Sequence, residues 1–267
     1  MKIVVATDFS DNAANALDFA VSLAGEKDGE IILVHAIEAV YDFASQAAIA
    51  LDSMHRDAEA LMAASIAKYQ DAGVEFTSII KEGTASIIVS KIAHELEVRF
   101  IVTGTQGSSG ILKTLLGSTT INLIKESPVP VLVVPRESSA SQVDRIVLAL
   151  EFANREEQFI DWVVEMSKRW GRRLEFLHVQ THRDFEEEPG IKKLEKLLLQ
   201  NYADTPMKIH TFYAPSAVEG LDQFLEENEK VILVMCHEHK NLWKQILSSS
   251  QTIEMLFHSK VPILVMP

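Results

Sequence analysis

The stretch KIVVATDFS at residues 2–10 returns as RIVLALEFA at residues 145–153. Three further pairs follow in the same order. IILVHAI (31–37) matches LEFLHVQ (174–180), FIVTGT (100–105) matches ILVMCH (232–237), and VPVLVVP (129–135) matches VPILVMP (261–267). The first two pairs share a spacing of 143 residues, which sets His35 against His178. A period this long signals a duplicated domain and not a solenoid. The joint falls in RESSAS (136–141), which is polar and rich in serine. The expected domains are residues 1–135 and 144–267, with a linker at 136–143.

Each copy alternates short β-branched runs with helical periodicity. In the first, residues 3–7, 31–36, 75–81, 100–104 and 131–134 read as strands. They are near-continuous apolar runs, as expected of strands buried on both faces. Residues 12–24, capped by Ser10 or Asp11, read as a helix, as do residues 44–72 and 85–95. A last helix follows Gly107 and ends before Pro128. The second copy repeats the plan with a shorter second helix near residues 191–202. Strand–helix alternation implies a parallel sheet with right-handed crossovers. The fold class expected is α/β: two tandem flavodoxin-like domains, each a five-stranded parallel sheet in order 3-2-1-4-5 with helices on both faces.

The 267 residues carry a net charge of −13 and are 47% hydrophobic. Residues 1–135 hold 9 basic and 17 acidic side chains, and residues 144–267 hold 15 and 20. Neither half is a basic module, which argues against nucleic acid. The single cysteine, Cys236, excludes an internal disulfide and suits a reducing compartment. The opening MKIVVATDFS meets Asp8 too soon for a signal segment, and no apolar run approaches the length of a membrane span. The expectation is a cytoplasmic protein with no membrane partner.

In an open parallel sheet a ligand sits beyond the carboxyl ends of the strands where the winding reverses. Strands 1 and 4 flank that crevice, and they end in ATDFS and TGTQG. The second leads into GTQGSSGILKTLLGST (104–119). Glycine there permits positive φ and close approach to a ligand. Successive backbone N–H groups and a helix N-terminus favour an anion. Gly117, Ser118 and Thr119 add further donors. Two alternatives fail on the residues. A Walker A loop needs lysine directly after its glycine, and the dinucleotide fingerprint needs glycines after strand 1.

The pattern G-x2-G-x9-G-[ST] at Gly104, Gly107, Gly117 and Ser118, with TDFS after strand 1 and VHA ending strand 2, resembles the universal stress protein family. The resemblance covers both copies and implies the adenine nucleotide alpha hydrolase-like form of the fold. In nucleotide-binding members, the strand 1 aspartate and the residue ending strand 2 meet the adenine of ATP. By match these are Asp8, with Thr7 beside it, and Ala36. The glycine loop and hydroxyl pair hold ribose and phosphates, which maps to Thr103, Gly104, Gly107, Gly117, Ser118 and Thr119. The resemblance thus implies ATP with Mg2+, a stress-linked sensor or adaptor role, and pairing through the last strand. That pairing would form an intramolecular pseudo-dimer of the two domains, or a homodimer.

The second copy departs from this pattern. MCHEHKNLWKQILSSSQT (235–252) has none of the three glycines. Glu151 answers Asp8, Cys236 or Met235 stands in place of Gly104, and Ser248 in place of Gly117. Loss of triphosphate binding, or a different ligand, is expected. Cys236, His237 and His239 offer soft metal ligands, with His258 or His178 to complete a site. Adjacent residues cannot all face one ion, so this is the weaker alternative. His35 and His178 read as packed histidines near the strand ends. No nucleophile or general base stands placed for efficient chemistry, so slow ATP hydrolysis is the most the first copy is expected to perform. A nucleotidyl transferase would need an HxGH-type pair in the first loop, and TDFSDN has no histidine.

Overall fold

Five apolar runs become parallel strands in the first half of the chain: β1 (Lys2–Ala6), β2 (Glu30–Ile37), β3 (Glu75–Glu82), β4 (Phe100–Gly104) and β5 (Val131–Val134). In the computed structural model they assemble in the order β3-β2-β1-β4-β5. Helices α1 (Asp11–Ala24), α2 (Ala44–Ala67), α3 (Ala85–Glu95) and α4 (Ser118–Glu126) alternate with them. The second half repeats the plan with β6 (Arg145–Ala149), α5 (Glu157–Trp170), β7 (Arg173–Gln180), α6 (Pro189–Asn201), β8 (Lys208–Tyr213), α7 (Ala217–Glu227), β9 (Val231–Cys236) and β10 (Ile263–Met266). Its order is β8-β7-β6-β9-β10, the same winding. The chain separates into two units, Met1–Ser141 and Gln142–Met266. The structure describes residues 1–25, 28–38, 44–105, 116–152, 157–181, 189–203, 205, 207–236 and 261–267.

Every residue of β4, β5, β9 and β10 is buried. Successive side chains on a strand point to opposite faces, so both faces of each sheet are covered. Ile3, Val4, Val5, Phe100 and Ile101 of unit 1 and Ile146, Val147, Phe176 and Ile232 of unit 2 have no exposed surface. β3 departs from the expected apolar run, since five of its eight residues are exposed. It lies at the sheet edge, where strand order leaves it one neighbour, and FTSIIK is accordingly half polar.

α1 turns Ala13, Ala16, Leu17, Ala20 and Leu23 inward at helical spacing, with Phe19 and Ala24 flanking them. Burying Phe19 contributes about 1.5–3 kcal/mol. Ser10 caps the helix by accepting the Ala13 N–H at 3.3 Å. α2 ends at Ala67, five residues before the expected end at 72. Tyr69 folds back there, donating its hydroxyl to Asp18 of α1 and stacking on Phe76 with ring centroids 5.8 Å apart. Burial and the Asp18 carboxylate push the Tyr69 phenol well above its ordinary pKa. Unit 2 carries the same pin, from Tyr202 to Asp161 of α5.

Candidate functional site

β1 and β4 lie side by side, with Val5 opposite Val102, so their carboxyl ends open on one crevice. The residues after β1 form a tight loop. Thr7 donates its N–H to the Val34 carbonyl of β2 at 2.9 Å. The Phe9 N–H donates to Thr7 Oγ1 at 3.0 Å, and the Ser10 N–H donates to Asp8 Oδ1 at 3.0 Å. Asp8 therefore organises the loop, while Ser10 performs the helix capping. Ala36 lies two residues beyond Val34, as Asp8 lies two beyond Ala6, and Ala6 and Val34 are register partners. Asp8 and Ala36 thus follow neighbouring strand positions at the same end of the sheet.

On the β4 side, Gly104 sits in a tight contact with α1. A Cβ there would meet the Asn12 carbonyl oxygen at 3.0 Å and its carbon at 3.1 Å. The close approach is to the first turn of α1, with no positive φ at Gly104. Its carbonyl accepts the Thr120 hydroxyl at 2.9 Å. The Thr103 hydroxyl is buried and lies 3.4 Å from Thr120 Oγ1, so Thr103 turns its side chain into the fold. The chain leaves β4 at Thr105 and comes back to it at Gly117, whose N–H donates to the Thr105 carbonyl at 2.7 Å. Gly107 and Lys113 lie outside the described residues.

Gly117 is not inside a helix. It is the N-cap of α4, with φ −69° and ψ 151°, values open to most residues. Its importance is the side chain it lacks. α1 starts against the Ser10 hydroxyl, and α7 against the Ser216 hydroxyl, which accepts the Glu219 N–H at 3.2 Å. The first N–H of α3, from Ala85, donates to Glu38 Oε1 at 3.2 Å. α4 starts on a glycine with no side-chain cap, and Ser118 beside it is exposed. Gly117 offers no side chain to the first N–H groups of α4, which carry the positive end of the helix dipole. That donor set fits a phosphate group. The exposed Met54 and the His55–Glu82 hydrogen bond at 3.2 Å belong to α2 and β3.

Register settles the equivalent positions in unit 2. Ile146 pairs with Ile232 as Ile3 pairs with Phe100, so Met235 answers Thr103 and Cys236 answers Gly104. A small apolar recess occupies the switch point, lined by Leu150, Leu177, Val179, Leu221, Met235 and Cys236, with Glu151 at its polar edge. Cys236 is buried there. His237, His239, Ser248 and His258 lie outside the described residues. Among the described residues no three His, Cys, Asp or Glu side chains gather as a metal site.

Two features escaped the sequence. The first is the left-handed backbone of Phe9 (φ 64°) and Phe152 (φ 57°), which also stand 143 residues apart. The second lies at the amino end of the unit 2 sheet. Buried Glu175 accepts hydrogen bonds from Arg145 Nη1 at 3.1 Å and His210 Nε2 at 2.8 Å. Arg145 Nη2 also donates to Asn228 Oδ1 at 3.0 Å. Burial pushes the Glu175 carboxyl up, but His210 and Arg145 outweigh it and hold the group below its ordinary value. Unit 1 has the buried Ile32 at this register.

A doubly wound sheet in each unit, with a glycine heading the helix after the switch point in unit 1, defines an α/β protein. The universal stress protein family profile matches residues 1–135, and the chain belongs to that family. A universal stress protein of Methanocaldococcus jannaschii is 30% identical over 159 residues, covering 52% of this chain and 96% of its own. Universal stress protein YxiE of Bacillus subtilis is 34% identical over 144 residues, covering 50% and 97%. The crystal structure of a universal stress protein from Archaeoglobus fulgidus superposes with a TM-score of 0.78 at 20% identity, covering 99% of this chain and 95% of that one. That likeness establishes the fold across the whole chain. No described helix is long and apolar enough to cross a membrane.

Proposed function

We propose that unit 1 binds ATP and that the protein acts as a cytoplasmic stress-response sensor or adaptor whose state follows nucleotide occupancy. The uncapped start of α4 at Gly117, beside the carboxyl end of β4, is the observation that carries this reading. Ser118 and Thr119 supply hydroxyl and backbone donors to the phosphates, with Gly107 completing the loop. Gly104 lets α1 and β4 approach closely enough to form the crevice wall, and Thr103 acts through its backbone. Asp8 and Ala36 take the adenine end. Mg2+ accompanies the phosphates and offsets their charge. The acidic balance of both halves supports a small-molecule partner over nucleic acid. Pairing through the last strand, within the chain or between two copies, belongs to the same proposal.

Mass spectrometry of the natively purified full chain tests this directly, with an adenine nucleotide as the expected co-purifying species. Calorimetric titration with Mg-ATP is the complementary measurement. No bound nucleotide, no heat and no thermal shift together would sink the proposal. A turnover assay separates the adaptor from an enzyme: sustained turnover at several per second, an ordinary enzymatic rate, would overturn the adaptor role.

A further inference from the structure

His35 holds both neighbours of Asp8. Its Nδ1 lies 2.9 Å from the Thr7 carbonyl oxygen, and its ring packs on Phe9 with centroids 4.5 Å apart. A carbonyl only accepts, so Nδ1 carries the proton and the tautomer is set. Phe9 adopts a left-handed backbone, which a bulky residue keeps only where surrounding contacts over-determine it. Between these two anchored residues the Asp8 backbone has little freedom, and its Oδ1 is aligned by the Ser10 N–H. Unit 2 builds the same clasp around Glu151. His178 Nδ1 lies 2.8 Å from the Leu150 carbonyl oxygen, and its ring lies 4.7 Å from that of left-handed Phe152. In both units the clasped segment places a carboxylate at the mouth of the switch point.

We infer that His35, acting with Phe9, is a positioning residue that fixes Asp8 as the group discriminating between purine bases. The inference rests on the nucleotide reading above. A carboxylate accepts hydrogen bonds, and the exocyclic amino group of adenine donates one. Guanine presents an acceptor oxygen at that position. A carboxylate held still at that position therefore favours adenine and repels guanine, whereas a mobile one can turn away from O6 or toward the N1–H and N2–H donors of guanine.

The test is calorimetric titration of the full chain with Mg-ATP and Mg-GTP. The wild-type chain is expected to prefer ATP. His35→Leu is expected to shrink the ATP-to-GTP affinity ratio about tenfold, the discrimination attributable to one well-placed polar contact. His35→Gln keeps an amide donor for the Thr7 carbonyl and is expected to recover part of the ratio. A merely structural histidine weakens both nucleotides alike and leaves the ratio unchanged, and that result overturns the inference alone. A wild-type chain that binds neither nucleotide overturns the nucleotide reading and this inference with it. Should His35→Leu not fold, Phe9→Asn decides. Asparagine tolerates left-handed backbone, so the variant removes the ring contact at little conformational cost. An unchanged ratio in that variant overturns the inference equally.

Discussion

At the carboxyl end of its first strand, unit 1 carries Thr7, Asp8 and Phe9, and unit 2 carries Leu150, Glu151 and Phe152. Each unit has one histidine clasp and one tyrosine–aspartate pin. The walls of the crevice differ. Thr103 and Gly104 become Met235 and Cys236, and the recess in unit 2 is lined by aliphatic and sulfur side chains. At the opposite end of the sheet the change runs the other way, with apolar Ile32 in unit 1 and a buried ionic cluster at Glu175 in unit 2. The features common to both units are those that close the backbone. The features that differ are side chains whose replacement leaves the strand plan standing. The fold tolerates either chemistry at either end because each end needs only filled volume and satisfied polar groups.

The largest effect is expected at the ionic cluster. Glu175→Ile copies unit 1 but removes the hydrogen bonds from half-buried Arg145 and from His210, leaving Asp144 as the carboxylate partner of Arg145, and should destabilise unit 2 by about 3 kcal/mol. Replacing Glu175, Arg145 and His210 together by aliphatic residues should restore most of that loss. Thermal and urea unfolding of both variants measure this, and a triple variant no more stable than Glu175→Ile would refute the cluster as a self-contained exchange for apolar packing. The cluster also predicts a pH dependence. The folded carboxyl is held below its ordinary value of 4.5, so the unfolded chain takes up a proton first as pH falls. Its stabilisation is complete above that value and is lost as pH drops through the lower folded value. The wild type should lose stability in acid more steeply than the triple variant.

Gly104→Cys imposes the unit 2 residue on unit 1. Its Cβ would press on the Asn12 backbone, so α1 must shift. A loss of about 1–3 kcal/mol is expected from overpacking, together with loss of ATP binding. Unchanged stability would show that the two walls are interchangeable. Gly117→Val acts on the ligand more than on the fold. A branched side chain at the uncapped helix start should abolish ATP binding in titration, with a stability cost of about 1 kcal/mol from the poorer N-cap. Parent-like affinity in that variant would remove the phosphate assignment. The smallest effect concerns what the units share. Tyr69→Phe and Tyr202→Phe each remove one solvent-accessible hydrogen bond and should cost about 0.5–1 kcal/mol alike. A marked difference between them in unfolding experiments would break the symmetry of the scaffold.

Several elements were legible because their signal is local. β4, β5 and α3 run over the residues that their apolar runs and helical spacing indicated. The duplication announced the repeated winding, and a polar–glycine junction after β4 marked the switch point. The end of α2 was not legible, because no glycine or proline stops the pattern before Gly73. The contact of Tyr69 with Asp18, far away in the chain, stops it instead. The glycines were legible along the chain, but the packing around them was not. Gly104 makes room for α1, and Gly117 leaves a helix uncapped. Glu175 carried no signal of its own, since nothing near it in sequence names Arg145 and His210 as its partners.

The amino-acid order by itself determined a tandem α/β protein, its strand succession and the place where the winding reverses. These follow from periodicity and repetition, which are written in short windows of the chain. Only the tertiary structure decided that a histidine of the neighbouring strand packs on left-handed Phe9, that Cys236 takes the position of Gly104, and that one carboxylate is buried against Arg145 and His210. Each of these is a contact between segments distant in sequence, and its energy depends on burial and distance, quantities that exist only once the chain has packed.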